Sequence, residues 1–172
     1  MIRIAKLGIA ALAFSVLAAG ALMPSAAEAA AKLSKSKLVG TWIAVSISNT
    51  TPDGKTTQTY GPGDGVLIFG RNGTFVQVLA RADLPKFASN NRMTGTADEN
   101  KAVVQGTLSI FGTYKTAKDG TVTLHIERGS YANWNGTDQT RVVTSLTASE
   151  FKWDIAAPSV GGSASAAWKR SK

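Results

Sequence analysis

Val66-Leu67-Ile68-Phe69-Gly70-Arg71-Asn72-Gly73-Thr74-Phe75-Val76-Gln77-Val78-Leu79 is the stretch on which the fold turns. Two runs rich in β-branched and aromatic residues flank Asn72-Gly73, and Asn-Gly supplies the positive φ that a tight hairpin turn demands. The second run, Thr74–Leu79, therefore reads as a strand that returns beside the first.

The same pattern repeats in both directions. Upstream, Gly40-Thr41-Trp42-Ile43-Ala44-Val45-Ser46-Ile47-Ser48 alternates and leads into the turn signal Pro52-Asp53-Gly54. Downstream, Thr107–Tyr114 runs into Asp119-Gly120, and Thr121–Glu127 runs back. Thr140–Leu146, Phe151–Ile155 and Ser163–Trp168 complete the series, the last of them rich in small residues. Eight or nine short strands with turns between them predict an all-β protein, an antiparallel up-and-down barrel. Closure of such a meander removes the exposed edges; a two-sheet sandwich is the alternative. Helical signal appears once. Thr96-Ala97-Asp98-Glu99 is a capping box, and Lys101–Gln105 would continue it as one short helix. With the polar, irregular Ala82–Gly95 before it, this makes a lid-like loop.

The chain of 172 residues, 44% of them hydrophobic, is enough for one packed domain. It has no Cys, which excludes a thiolate nucleophile, a Cys-based zinc site, an iron–sulfur cluster and a disulfide framework. Its one His, His125, excludes a multi-histidine metal cage, so no metal or cofactor is expected. Arg3 and Lys6 precede an apolar run from Leu7 to Met23, and Ala27-Glu28-Ala29 forms a small-x-small end. That order describes a signal peptide over residues 1–29, cut after Ala29, and predicts a periplasmic or secreted protein. A membrane anchor is the competing reading, but the run is short for a bilayer, and Pro24 before a cleavage pattern suits processing. A polar lead over 30–37 then precedes a barrel domain over 38–170. Lys and Arg number 19 against 11 Asp and Glu, but they are scattered singly apart from small groups near the ends. Scattered charge reads as a solvated surface, so neither nucleic acid nor stable membrane insertion after cleavage is expected.

Searches for a catalytic constellation fail. No G-x-S-x-G elbow is present, and Gly61-Pro62-Gly63-Asp64-Gly65 leads into a strand without the Lys-Ser/Thr of a phosphate loop. No catalytic residue is assigned. His125 sits on the strand face opposite Val122, Leu124 and Ile126, which makes it either a surface residue or a polar group inside the barrel. Glu127–Arg141 packs Tyr131, Trp134, Asn133 and Asn135 around a turn. Such a loop either grips a ligand at a barrel mouth or plugs the end with Trp134. Arg141, beside Val142 and Val143, is a candidate inward charge with Glu127 or Asp138 as partner.

Leu38-Val39-Gly40-Thr41-Trp42, Arg81 with Pro85-Lys86-Phe87-Ala88, Phe111-Gly112-Thr113-Tyr114, Asn133-Trp134-x-Gly136-Thr137-Asp138-Gln139 and Trp168-Lys169-Arg170 occur in this order. The string resembles the bacterial and fungal lipocalin-like domain family over about residues 37–170. The resemblance implies a calycin-type barrel with an interior cavity. It also implies a floor closed by Trp42, with a basic residue of the last strand, Arg170 or Lys169, stacked on it. It carries over no activity. The leading expectation is an exported barrel that binds a small, largely apolar or amphipathic ligand through Tyr60, Phe111, Tyr114, His125, Trp134 and Arg141. The alternatives are an isomerase or cyclase using His125 or a Tyr as acid–base group, and a filled barrel serving as a structural or interaction protein of the envelope.

Overall fold

Most strands bury alternate residues, and the clearest is Thr74–Ala80, where exposed and buried side chains alternate without exception. The computed structural model describes residues 33–172. The expected signal peptide and the first three residues of the polar lead lie outside them. The described part of the lead includes a helical turn, α1 (Lys35–Leu38), whose Leu38 is fully buried.

Nine strands follow: β1 (Gly40–Thr50), β2 (Thr56–Tyr60), β3 (Gly65–Phe69), β4 (Thr74–Ala80), β5 (Thr107–Thr116), β6 (Thr121–Gly129), β7 (Thr137–Leu146), β8 (Glu150–Ile155) and β9 (Ser163–Arg170). All neighbours are antiparallel, in the order β1-β3-β4-β5-β6-β7-β8-β9, and β9 returns to pair with β1 from Trp42↔Arg170 to Thr50↔Ser163. The meander is therefore a closed eight-stranded barrel, as the hairpin pattern predicts. The extra strand, β2, continues β3 along the same side of β1: Gly40–Ile43 pair with β3 and Ile47–Thr50 with β2. Between them the chain steps out at Gly61–Asp64, pinned by the Gly63 N–H donating to the Ala44 carbonyl at 2.9 Å. The sequence pattern does not announce β2, because Thr56-Thr57-Gln58-Thr59-Tyr60 buries only its last residue.

Helix α2 (Ala97–Gly106) lies in the β4–β5 connection with its capping box formed. Glu99 N–H donates to the Thr96 hydroxyl, and the Glu99 carboxylate accepts from the Thr96 N–H. The same carboxylate accepts from the Ala88 N–H at 2.8 Å, which folds the preceding loop back onto the helix. These backbone donors hold the Glu99 carboxyl below its ordinary value.

The two ends of the barrel differ. One is spanned by the short turns β3–β4, β5–β6 and β7–β8, together with α1 and the end of β9. Here the interior is filled by aromatic rings: Trp42 meets Phe151 edge-on at 4.7 Å, Phe151 meets Trp153 at 5.2 Å, and Trp153 meets Trp168 at 6.1 Å. Beneath them Arg170 lays its guanidinium 4.0 Å from the Trp42 ring centroid. The same fork donates to the carbonyls of Ala148, Val39 and Lys37 at 2.7–2.9 Å, while Trp42 Nε1 donates to the Leu38 carbonyl at 2.7 Å. Of the two basic candidates, Arg170 makes the stack; Lys169 pairs with Ile43 and is exposed. Gly40 is required beside it. Its φ is +128°, and a Cβ there would stand 2.7 Å from Arg170 Nη1.

Arg170→Ala is expected to cost about 2–4 kcal/mol, since it removes a cation–π stack and charge-assisted hydrogen bonds to three carbonyls at once. Urea unfolding would show it. Arg170→Lys should restore well under half of the loss, because an ammonium cannot reach three acceptors in one plane.

Candidate ligand-binding cavity

At the other end the connections are long: the α2 loop, the β6–β7 loop with a 3₁₀ turn at Ala132–Trp134, and the β8–β9 loop. The interior here is hollow, and β9 shows why. Its inward positions read Ala164, Ala166, Trp168 from mouth to floor, so bulk appears only at the bottom. Ala166 faces Ile47 on β1 and Trp153 on β8, and Ala164 faces Asn49 and Ile155. With methyl groups on this strand, the side chains across the bore do not meet, and a cavity of ≈ 670 Å³ opens. Pockets of roughly 300–1,000 Å³ suit small-molecule ligands.

Trp153 and Trp168 form the deep wall, Ile47, Leu79, Leu108 and Ile155 the sides, and Tyr131, Trp134 and Val160 the rim. Val103, Val104 and Gln105 of α2 also border the space, so the β4–β5 connection contributes to the mouth as a lid-like loop would. Tyr131 and Trp134 pack edge to face at 5.5 Å, and the Trp134 carbonyl accepts from the Thr137 hydroxyl at 2.8 Å. Burial pushes the Tyr60 phenol above its ordinary value, so Tyr60 offers a neutral hydroxyl at the β2 side of the cavity.

The polar group of consequence is Arg141. It points inward from β7, is 4% exposed, and lines the cavity. Its Nη1 donates to the neighbouring Thr140 carbonyl at 2.9 Å, and its Nε has no partner. Trp134 lies 5.9 Å away by ring centroid, at the limit of a cation–π contact. No carboxylate among the described residues pairs with it, and burial alone pulls the guanidinium down to about 10. The expected partners are elsewhere: Glu127 is exposed, and Asp138 faces outward, where its Oδ1 lies 2.7 Å from His125 Nδ1. Gln77, on β4, is a second buried polar residue lining the cavity.

Of the six residues expected to bind ligand, the structure brings Tyr60, Trp134 and Arg141 together on the cavity. Three stand apart. Phe111 points outward, 46% exposed, beside Val76 and Ile68 on an apolar strip of the outer wall. Tyr114 faces inward but lies at the filled end, packed on Phe69 at 4.7 Å with its hydroxyl donating to the Gly70 carbonyl. His125 faces solvent, which removes it from the position an interior acid–base residue would need. Alternation already separates Phe111 from Tyr114, since an odd spacing on a strand puts two side chains on opposite faces. The same rule exposes what was overlooked: Phe75, Gln77 and Leu79 share one face, as do Ala164, Ala166 and Trp168.

Fold and cavity together define a small closed β-barrel with a hollow, mostly apolar upper half and, among the described residues, one buried cation, Arg141. A family model described as "lipocalin-like domain" matches residues 39–170, and the chain belongs to that family. No curated protein matches. Among solved structures, a redesigned β-barrel, b11L5F_LGL, is similar at 18% identity and a TM-score of 0.42, covering 80% of this chain and 95% of that one. The redesigned barrel mFAP1, bound to DFHBI, is similar at 20% identity and a TM-score of 0.38, covering 79% and 97% respectively.

An unpaired buried charge destabilises the empty barrel. Arg141→Met should therefore raise stability by about 1–4 kcal/mol in the absence of ligand, as measured by chemical denaturation. The sign with pH follows. Because folding depresses this group's pKa, the burden is fully present below about pH 10 and lifts as pH rises above it, so the advantage of the Met variant should shrink on the alkaline side of pH 10.

Proposed function

We propose that this protein is an exported carrier whose barrel holds one small, largely apolar ligand in its upper half. The cavity carries this reading: ≈ 670 Å³ lined mainly by aliphatic and aromatic side chains, with a few polar groups placed among them. Eight strands leave a bore that either fills with side chains or has room for one small molecule; this barrel is filled at its floor and leaves a cavity toward its mouth. Export is supported by the basic start, the apolar run and Ala27-Glu28-Ala29.

The uncharged dye N-phenyl-1-naphthylamine should bind with a rise in fluorescence, and Trp153, Trp168 and Trp134 should transfer energy to it. Ala166→Phe, which puts a ring where the methyl group leaves space, should weaken dye binding at least tenfold while the circular dichroism of the barrel persists. Trp134→Ala should weaken binding without unfolding. Equal dye binding by the Ala166→Phe variant and the natural barrel would show that the dye sits elsewhere and overturn the reading. Expressed in a bacterium with its own N-terminus, the exported form should have an intact mass beginning at Ala30; a mass that retains residues 1–29 would overturn cleavage.

A further inference from the structure

We propose that the ligand is a monocarboxylate, an apolar body bearing one carboxylate that docks on Arg141 inside the barrel. The inference deepens the carrier reading and rests on it. Arg141 is 4% exposed, lines the cavity, and has Nε without any partner. Among the described residues, the ion pair Arg81–Asp83 and the hydrogen-bonded pair His125–Asp138 are both away from it. A buried guanidinium in an apolar chamber calls for a counter-charge, and in this barrel the described residues supply none.

The neighbouring groups point the same way. Trp153 Nε1 and Trp168 Nε1, on the next two strands, are also buried N–H donors without partners. Val143 pairs with Trp153, which makes Arg141 and Trp153 diagonal neighbours, and Trp153 and Trp168 are in contact at 6.1 Å. Each cavity-lining residue that carries an orphaned buried atom carries it as a donor; the remaining orphan, Asn135 Oδ1, belongs to the β6–β7 connection, and Asn135 is not part of the lining. An anion docked on Arg141 would bring acceptor oxygens into a region of the barrel that is rich in donors and short of acceptors.

Charge number and shape select the carboxylate. One cation balances one negative charge, whereas a phosphate monoester brings about −1.5 to −2 near neutral pH and would leave excess charge buried. The guanidinium fork also matches the two oxygens of a planar carboxylate. Arg141 keeps its proton at any physiological pH even with burial pulling it down to about 10. Aliphatic and indole surface in the rest of the cavity takes the apolar body.

The test compares decanoate with decan-1-ol, which share a chain and differ in the head group. Each displaces N-phenyl-1-naphthylamine from the full mature chain at pH 8. Decanoate should displace the dye at a concentration at least tenfold lower than decanol, and decyl phosphate should fall behind decanoate. Arg141→Met should erase the advantage of decanoate over decanol. In the natural protein the advantage should also fade as pH is lowered through the carboxylate range of about 4–5, a readout that needs no variant to fold. Decanol binding as tightly as decanoate, or an advantage that survives Arg141→Met, would overturn the carboxylate and leave the carrier reading standing. Failure of the natural barrel to bind the dye, decanol and decanoate would overturn the carrier reading and the carboxylate with it.

Discussion

Everything above the floor depends on the seam between β1 and β9, and that seam is locked by Arg170 on Trp42. An up-and-down sheet becomes a barrel only if its last strand pairs with its first, and the loop entropy of bringing them together is large. Here the closing pair is Trp42↔Arg170 itself, so hydrogen bonding, ring stacking and the carbonyls of Lys37, Val39 and Ala148 all converge on one guanidinium. The α1 turn is drawn in with it, because two of those carbonyls and the acceptor of Trp42 Nε1 lie in residues 37–39.

That concentration of packing at one end lets the other end stay open. Trp42, Phe151, Trp153 and Trp168 form a continuous aromatic cluster, each burying on the order of 150–250 Å². The upper half gives up such contacts. Ala164 and Ala166 leave volume unfilled, and Arg141 is an uncompensated charge within it. Both features oppose stability, and both accord with the proposed carrier, whose interior a bound molecule would complete. Ligand binding would then stabilise the fold by mass action, and most strongly where the empty protein is weakest.

Arg170 and Arg141 show how context divides one residue type into two roles. Arg170 satisfies its fork with backbone carbonyls and a ring at the partly solvated floor. Arg141, in the middle of β7, has its neighbour's carbonyl and little else. Nothing in the immediate sequence separates them: each follows a polar or basic residue on a strand that alternates inward and outward.

Strand order, hairpin turns and the capped helix were legible because they are local: Asn72-Gly73, Asp119-Gly120 and Thr96–Glu99 act through their own backbone conformations and near neighbours. The floor Trp42, too, could be placed from sequence, by resemblance, and three of the six expected ligand-binding residues, Tyr60, Trp134 and Arg141, do line the cavity. β2 was not legible, since its pairing with β1 comes from an edge that its polar side chains do not signal. Nor were the roles of Phe111, Tyr114 and His125, because a strand tells which residues share a face but not which face turns inward or which end is filled. Those choices are made by register and closure across residues far apart in the chain. Only when β9 meets β1 and β8 does the column Ala164-Ala166 become a void, and only when β7 turns its odd residues inward does Arg141 lose the partners that neighbouring positions offer it.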